Sequence, residues 1–332
     1  MTSILLEILI ALVVLVLGIV IDLVIGDPAP WKPWRRIYGL HPTIWMGKVA
    51  KALTPHFKNP NPRTEKANGV LLAIVVIAAF TIPTFLGLAA VYLFLGVFGM
   101  VIYVIVGALL LKTTICIKLE TDGAKGVAKA LENGDLEEAK KYHHFSRRDP
   151  TNLTSPQMAS AVIESMVENL TDFKHSPIIY YSLFGVSGAI AFRAVNTLDG
   201  VVGFKDPEHI NIGWFSANLD TVVNYFPARL TTILMIISAA IIGEDWRNAW
   251  RIAQRDRRKI ASRNHGWQMA AIAGALHVQL DKPGHYQVGD PEQVLDSKKI
   301  LTSLKIRDIS IVLSILLFLP VIVAVRLFVF PF

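Results

Sequence analysis

Long apolar runs dominate the distribution of hydrophobic residues along this chain of 332 residues. The first run, 4–25, is interrupted only by Glu7 and Asp22, and the second, 69–111, contains 43 residues and no charged side chain. A membrane-spanning helix needs about 20 residues, so the second run is long enough for two helices joined by a turn. With a further run near the end of the chain, the pattern predicts spans at about 4–25, 69–90, 92–115 and 309–330.

Two weaker apolar runs, 178–195 and 222–243, contain charged residues. Arg193 lies near the end of the first run, and Arg229 lies in the first half of the second. A charge at the centre of a bilayer costs at least about 2.5–3.5 kcal/mol, and irregular backbone is tolerated at that depth where it lines a cavity. We therefore predict a membrane-embedded pair of broken helices that opens towards the cytoplasm, with Pro227 marking one break.

Lysine and arginine are concentrated in three polar segments. Residues 26–68 contain eight of them, residues 112–176 contain nine and residues 244–308 contain twelve, out of 33 in the chain. Because positive residues are enriched in cytoplasmic loops, we predict that 26–68, 118–176 and 244–308 are cytoplasmic. This topology accounts for the net charge of +7, and we expect no nucleic-acid partner.

These patterns together predict an all-α fold, a polytopic helical membrane protein with cytoplasmic helical segments. We expect residues 1–332 to form a single membrane-integrated domain. The composition agrees, because 53% of the residues are hydrophobic, whereas soluble domains contain about 45–50% apolar residues. The single cysteine, Cys116, excludes a disulfide within the chain and a metal site built from cysteines.

The polar segments have helical patterns of their own. Residues 118–145 are predicted to form a pair of helices around the turn sequence Glu-Asn-Gly-Asp. The next helix is predicted to run to about Asp172, with Ser155 as its N-cap and a proline at its first position. Residues 244–260 are typical of a basic amphipathic helix, and 281–298 are predicted to be a loop.

Three acidic residues, Glu164, Glu168 and Asp172, recur at intervals of four on one predicted helix. Carboxylates on one face of a helix could hold a magnesium ion together with nucleotide phosphates, since hard cations prefer oxygen ligands. The alternative is a solvated helix face opposite the apolar one. The pattern alone favours the solvated face.

Two further polar clusters lie beside the weaker apolar runs: Arg193, Asn196 and Asp199, then Asp220, Asn224 and Arg229. Polar residues within membrane segments usually face a cavity and mark a functional site. The alternative is a buried Arg–Asp pair that joins two helices. Because several polar residue types converge here, we favour a functional role and expect these side chains to share a pocket.

Arginines form a fourth candidate cluster. Arg148 and Arg255 are candidates for phosphate or carboxylate binding, because a guanidinium group binds both in a bidentate manner. Arg247 and Arg251 are better explained by contact of a juxtamembrane patch with anionic lipid. No P-loop, Rossmann glycine pattern or Ser–His–Asp arrangement can be singled out in the sequence.

Together these clusters resemble the CobD/CbiB family, the adenosylcobinamide-phosphate synthases of cobalamin biosynthesis. The matching stretches occur in family order over most of residues 20–290. They are Gly26-Asp27-Pro28, His41-Pro42, Met46-Gly47, Glu164-Ser165 with Glu168-Asn169 and Asp172, Arg193 to Asp199, Leu219-Asp220 with Asn224, Phe226 to Leu230, Arg255-Asp256, Gly266 and Ala273 to Leu276. The chain departs from the family pattern at Gly200, Thr221 and Arg263, and Thr221 weakens the idea that paired acids bind metal there.

The resemblance implies an ATP-dependent amide ligation. The propionate carboxylate of adenosylcobyric acid would be joined to (R)-1-amino-2-propanol or its O-phosphate, giving adenosylcobinamide or its phosphate. ATP would serve as co-substrate with Mg²⁺, and the site would face the cytoplasm at the cell membrane. Whether the amine is phosphorylated, and the oligomeric state, are left open.

The resemblance also implies roles for single residues. Those expected to act in catalysis are Asp199, Asp220, Glu164 and Glu168. Those expected to hold substrate or phosphate are Arg193, Asn196, Asn224, Arg229, Arg148 and Arg255. Those expected to bind magnesium are Glu164, Glu168 and Asp172, so the resemblance reverses the preference for a solvated face.

Two other functions fit the same features less well. A transporter would explain charges within weak spans and an approximate repeat, Asn-Thr-Leu-Asp at 196–199 and Asn-Leu-Asp at 218–220. A non-catalytic membrane sensor is a third possibility that the resemblance implies, since a related branch of the family is linked to signalling. The size of the cytoplasmic polar segments favours the enzyme, because an enzyme needs only a pocket open to one side.

Overall fold

The computed structural model describes residues 2–27, 39–146 and 148–328, so Pro28 of the Gly-Asp-Pro sequence lies outside the described residues. Helices account for almost all regular structure in these ranges. They are α1 (Thr2–Ile25), α2 (Pro42–Phe57), α3 (Pro62–Phe94), α4 (Gly96–Lys112), α5 (Lys118–Glu132), α6 (Leu136–Tyr142), α7 (Ser155–Leu170), α8 (Ser176–Val202), α9 (Trp214–Val223), α10 (Tyr225–Ile241), α11 (Trp246–Asp256), α12 (His265–Leu276) and α13 (Ser297–Arg326). A 3-10 turn covers His143–Phe145, and a π-helical turn covers Thr171–His175.

Among the described residues, four helical stretches are long and apolar enough to cross a membrane. They are Ile4–Ile25, Pro62–Phe94, Ser155–Val202 and Ser297–Arg326. The pair α9–α10 makes a fifth if the two helices are taken as one broken span, and α4 is a shorter apolar helix. The predicted all-α, multi-pass membrane architecture is confirmed.

The predicted pair of broken helices is present, with one break at a different residue. Helix α8 is interrupted at Gly185, whose φ of 68° is readily adopted only by glycine. The second break lies at Asn224, between α9 and α10, three residues before the predicted position. Pro227 is tolerated within α10 because the first turn of a helix has no hydrogen bond for proline to remove.

The contacts of the chain divide it into two compact units. The first unit consists of Met1–Cys116, Ser176–Val223 and Leu317–Phe332. Its apolar core is formed by the buried side chains of Ala50, Leu72, Ala73, Val76, Leu198, Val202 and Ile212. Helix α3 approaches the segment before α9 so closely that a Cβ atom at Gly69 would lie 2.2 Å from the Ile212 carbonyl oxygen.

The second unit consists of Ile117–His175 and Asn224–Leu316. Helices α11 and α12 pack tightly, since a Cβ atom at Gly274 would lie 2.7 Å from the Asn248 carbonyl oxygen. Helix α7 buries Met158, Ala159, Val162, Ile163 and Met166. The prediction of a single membrane-integrated domain over residues 1–332 stays a prediction.

A β-hairpin occupies part of the predicted loop 281–298 in this second unit. Strands β1 (Leu280–Lys282) and β2 (Tyr286–Val288) are antiparallel, with Leu280 opposite Val288. Strand β1 contacts α7. The hairpin therefore brings side chains to α7 that no helical pattern in the sequence predicts.

The start of α7 differs from the prediction by one residue. The N-cap is Thr154, not Ser155, because Thr154 and Gln157 form a capping box in which each side chain bonds the other's backbone N–H. Pro156 therefore occupies the second helical position and not the predicted first one, but it still lies in the first turn, where proline removes no hydrogen bond. Helix α7 ends at Leu170, where the π-helical turn begins.

Candidate functional site

A series of hydrogen-bonded polar groups in the first unit, which we call the Arg193 chain, includes the buried side chain of Arg193 on α8. Its Nη1 donates to Asn196 Oδ1 at 2.9 Å, and its Nη2 donates to the Thr114 carbonyl oxygen at 2.7 Å. The Asn196 amide in turn donates to Asp220 Oδ1 of α9 at 3.2 Å. Three of the predicted site residues, Arg193, Asn196 and Asp220, are therefore in direct contact.

A second polar group lies two residues from Thr114 in the same unit. The Lys112 ammonium contacts the Asp27 carboxylate, and it lies 3.4 Å from Asp22 Oδ1. His41 Nε2 lies 3.5 Å from Asp27 Oδ1. Burial raises the pKa of Asp27, but the hydrogen bonds from His41 and Lys112 lower it to about 2.

Lys112 and Asp22 are not among the predicted site residues. Their position in the sequence nevertheless marks them as unusual, because Asp22 is one of two charges in the first apolar run and Lys112 directly follows the second run.

Asp199 lies on α8 one turn beyond Asn196 and is half-buried. The expectation of a shared pocket stays a prediction for Asp199, Asp220, Arg193 and Arg229. Arg229 belongs to the second unit and is described below.

Glu164 of α7 is enclosed within the second unit. Its Oε1 accepts a hydrogen bond from Ser160 at 2.6 Å, and its Oε2 accepts one from Tyr286 at 2.6 Å and pairs with Arg148. Arg148 also donates to the Asp281 carbonyl oxygen at 2.8 Å. Glu164 is thus buried in contacts with the hairpin and is not on a solvated face.

Glu168 and Asp172 follow Glu164 along the chain but have a different partner, His265 of α12. Glu168 Oε1 lies 3.5 Å from His265 Nδ1, and Asp172 Oδ1 lies 3.5 Å from His265 Nε2. Burial lowers the pKa of His265, but Asp172 and Glu168 raise it well above its usual value. The side chains are not sealed off, because Glu168 is 38% exposed and Asp172 is 15% exposed.

Arg229 of α10 contacts the residues just before His265. Its guanidinium donates to the Asn264 side-chain oxygen, to the Arg263 carbonyl oxygen at 3.3 Å and to the Tyr225 carbonyl oxygen at 2.9 Å. It also lies 3.7 Å from the centre of the Tyr225 ring. Two adjacent residues thus contact opposite charges: Asn264 contacts the Arg229 guanidinium, and His265 faces the carboxylates of Glu168 and Asp172.

We call these five residues the His265 site. They are Glu168, Asp172, Arg229, Asn264 and His265. Glu168, Asp172 and Arg229 are among the predicted site residues, whereas Asn264 and His265 are not. The only sequence feature that marks Asn264 and His265 is the predicted Ser-Arg-Asn-His-Gly loop. A histidine that bridges two carboxylates has no fixed spacing from them in the sequence.

Arg255 of α11 lies in another ion-pair group of the second unit. It donates two hydrogen bonds to Asp256 at 2.7 and 2.8 Å, and two to Asp290 at 2.9 Å each. Asp256 also accepts a bond from the Gly289 backbone at 2.9 Å. These contacts tie α11 to the segment after β2, and phosphate binding by Arg255 stays a prediction.

A fully enclosed group of charges, the Glu120 cluster, was not predicted at all. Glu120 of α5 accepts hydrogen bonds from Lys174 at 2.6 Å, Arg307 at 2.9 Å and Asn169 at 3.0 Å. The three charged side chains are each 1% exposed. Nothing in the spacing of residues so far apart in the chain indicates that they meet.

The carboxylates of the His265 site are better suited to binding Mg²⁺ together with substrate phosphates than to forming a metal site made only of protein ligands. Among residues 2–27, 39–146 and 148–328, no three His, Cys, Asp or Glu side chains form a group that could hold a metal ion. Mg²⁺ is usually bound through one or two carboxylates together with substrate phosphates and water. Glu168 and Asp172 fit that donor set, whereas Glu164 already uses both oxygens.

Known proteins resemble the chain along most of its length. The family model described as CobD/Cbib protein matches residues 15–316. The probable cobalamin biosynthesis protein CobD of Methanothermobacter thermautotrophicus is 39% identical over 90% of this chain and 94% of its own. The protein of the same name from Thermoplasma volcanium is 35% identical over 96% and 99%, and the cobalamin biosynthesis protein CobD of Dehalococcoides mccartyi is 32% identical over 88% and 91%. No solved structure matches.

Proposed function

Because this chain belongs to the CobD/CbiB family, which acts in cobalamin biosynthesis, we propose that it is an ATP-dependent amide ligase acting on a corrinoid. The acid is the propionate of adenosylcobyric acid. The amine is (R)-1-amino-2-propanol or its O-phosphate. The products are adenosylcobinamide or its phosphate, ADP and inorganic phosphate.

The proposed reaction has two steps. A carboxylate oxygen of the corrinoid attacks the γ-phosphorus of ATP, and ADP leaves, which gives an acyl phosphate. The amine nitrogen then attacks the acyl carbon, inorganic phosphate leaves, and the ammonium proton passes to a base. The protein therefore has to hold a nucleotide, supply positive charge near the transferred phosphoryl group and accept a proton.

The arrangement of the His265 site is the observation that carries this proposal. Arg229 and the two carboxylates are held by neighbouring residues, and the carboxylates are partly open to solvent. Phosphoryl transfer depends chiefly on positioning and on stabilising negative charge. Arg229 is the proposed phosphate ligand, because its planar guanidinium can bind two phosphate oxygens.

Glu168 and Asp172 are the proposed magnesium ligands. When bound, Mg²⁺ would neutralise negative charge on the nucleotide phosphates. His265 is the proposed positioning residue for both carboxylates, since one ring nitrogen faces each of them at 3.5 Å. Although burial lowers the pKa of His265, Asp172 and Glu168 raise it well above its usual value, so the ring and the two carboxylates interact favourably.

For Asp220 of the first unit, the catalytic role that the family resemblance implies stays a prediction. Asn196 donates to one carboxylate oxygen of Asp220 and is itself oriented by Arg193. The same applies to Asp199, which lies on the same helix as Asn196. We propose that the reaction takes place on the cytoplasmic side, which is supported by the concentration of lysine and arginine in three segments.

A direct assay tests the proposal. Purified protein in detergent is incubated with adenosylcobyric acid, Mg-ATP and either the amine or its O-phosphate, and products are identified by mass spectrometry. The expected result is an amide with one ADP formed per amide. Absence of the amide with both amines, from protein that elutes as a folded species, would overturn the proposal.

A transporter is the second candidate, and the two broken helices favour it. Discontinuous spans often form the substrate site of transporters, and here the breaks lie at Gly185 and Asn224. Uptake of a labelled corrinoid into proteoliposomes without ATP would support transport. Amide formation without uptake would reject it.

A further inference from the structure

Helix α11 has an exposed face of unusual composition. Trp246 and Trp250 lie one turn apart and are each 47% exposed. Arg247 and Arg251, also one turn apart and exposed, lie beside the tryptophans. Arg251 also donates to Asn248 Oδ1 at 2.6 and 2.9 Å and lies 3.6 Å from Asp290, and its side chain remains 59% exposed. The opposite face is buried through Ala249, Ile252 and Ala253. The helix thus presents two aromatic rings and two cations away from the second unit.

This face directly follows an apolar surface on α10. Ile233, Ile237 and Ile241 recur every four residues on α10 and are all exposed. Because α9 and α10 together form a candidate broken span, this stripe is placed to face acyl chains. The stripe ends at the last residue of α10, five residues before Trp246, so the exposed face of α11 begins where the lipid-facing surface stops.

The composition of the face matches the boundary of a bilayer. Tryptophan is enriched at this boundary because its ring is apolar and its N–H is polar. The guanidinium of Arg247 lies 5.3 Å from the centre of the Trp246 ring, so ring and cation share one surface. Arginine suits phosphate groups, because its guanidinium can donate two parallel hydrogen bonds.

We propose that Trp246, Arg247, Trp250 and Arg251 form a binding surface for anionic phospholipids. The two rings insert at the level of the headgroups, and the two guanidinium groups bind headgroup phosphates. A free nucleotide would explain the arginines and could stack its base on a tryptophan, but it would not explain the exposed apolar stripe that directly precedes this face. The proposal is independent of the ligase activity, since it uses no residue of the His265 site or of the Arg193 chain.

Lipid retention tests the arginines. The protein is incorporated into vesicles of equal phosphatidylglycerol and phosphatidylcholine, re-extracted in mild detergent, and its bound lipids are quantified by mass spectrometry. We expect the wild-type protein to retain phosphatidylglycerol preferentially. The double variant Arg247→Gln/Arg251→Gln should reduce that preference by roughly 25-fold, since each basic residue near a charged surface contributes about fivefold.

The matched control is Lys140→Gln/Lys141→Gln on α6. It removes two positive charges from a helix that contains no tryptophan, where the lysines pair with Glu137 and Glu138. We expect its lipid preference to equal that of the wild-type protein. Equal preferences for all three proteins, or equal losses in both double variants, would overturn the proposal.

A second measurement tests the tryptophans without depending on the arginines. Lipids brominated near the headgroup quench the fluorescence of tryptophans at that depth. The fluorescence intensity lost to quenching should fall in Trp246→Phe/Trp250→Phe and stay unchanged in the control Trp267→Phe on α12. No difference between the two variants, or displacement of retained phosphatidylglycerol by millimolar ATP, would assign the surface to something other than lipid.

Discussion

The Glu120 cluster and the His265 site lie in the same unit and contain the same kinds of charged group, yet they differ in what they can do. Glu120, Lys174 and Arg307 are each 1% exposed, and the carboxylate accepts bonds from both cations and from Asn169. Glu168 and Asp172 both face His265, and their side chains are less enclosed, with Glu168 38% exposed and Asp172 15% exposed. An ion-pair group closed in this way stabilises the fold but has no room for a ligand.

The difference shows that burial of charge is not by itself evidence of a binding site. Removing one member of a closed group leaves an uncompensated buried charge, which is strongly destabilising. Removing one member of an open group leaves a charge that water can solvate, so stability changes little while binding suffers. A substitution in the Glu120 cluster should therefore mainly lower stability, whereas a substitution in the His265 site should mainly lower activity.

The largest effect is expected for Glu120→Gln. It leaves the Lys174 and Arg307 cations buried without their shared carboxylate, which should lower the free energy of unfolding by about 3–5 kcal/mol. Thermal unfolding in detergent measures this. The control is Glu137→Gln, whose side chain is 82% exposed and should change stability by less than about 0.5 kcal/mol. Equal unfolding temperatures for the two variants would contradict the closed-group interpretation.

Glu168→Gln should have the next largest effect, on activity rather than on stability. The substitution keeps the size of the side chain and removes its charge, so turnover should fall by about a hundredfold, as on loss of one group that stabilises a transition state. Added magnesium should partly restore turnover, while Glu137→Gln leaves it unchanged. Normal turnover with normal magnesium dependence in the variant would reject Glu168 as a ligand.

Asp27→Asn extends the comparison to the first unit, where a largely buried carboxylate pairs with Lys112. Its pKa is lowered to about 2 in the folded protein, so its stabilisation is present above about pH 4 and is lost as the pH falls towards 2. We expect a loss of about 2 kcal/mol at pH 7. Unfolding temperatures of both proteins, measured from pH 7 to pH 2, should converge towards the lower end of this range. A constant difference would contradict the assignment.

The smallest effect is expected in a neutral network of the second unit. Thr231 Oγ1 lies 2.8 Å from His175 Nδ1 and 3.1 Å from the Thr171 hydroxyl. Thr231→Val should cost about 1 kcal/mol, because it removes these bonds without leaving a charge. The neighbouring Thr232 is equally buried but bonds only the Ala228 carbonyl oxygen of its own helix. Thr232→Val should therefore be near neutral, and the reverse order would disprove the role of the network.

The sequence was sufficient for the features that depend on local pattern. Apolar runs predict α1, α3, α4 and α13 because a bilayer requires a minimum length of apolar helix. The same reasoning identified Arg193 and Asp220 as unusual, since charged residues are rare beside such runs. The resemblance to the CobD/CbiB family, which selected Glu168 and Asp172, is confirmed by the family match.

The features that could not be predicted depend on contacts between distant residues. His265 has partners 93 and 97 residues earlier in the chain, and Arg307 has one 187 residues earlier. The burial of Glu164 depends on Tyr286 in a hairpin whose strands have only three residues each. A strand of three residues is too short for an alternation of polar and apolar residues to be recognised.

The π-helical turn at Thr171–His175 has a consequence for how the chain is compared with its relatives. Such a turn inserts one residue into the helical repeat, so side chains beyond it are rotated by about 100° relative to an uninterrupted α-helix. It lies inside the continuous stretch Ser155–Val202. A helical wheel drawn through the whole stretch would assign the inward face correctly on only one side of the turn. A single-residue gap within 171–175 in an alignment would likewise signal a change of facing, and not merely a change of length.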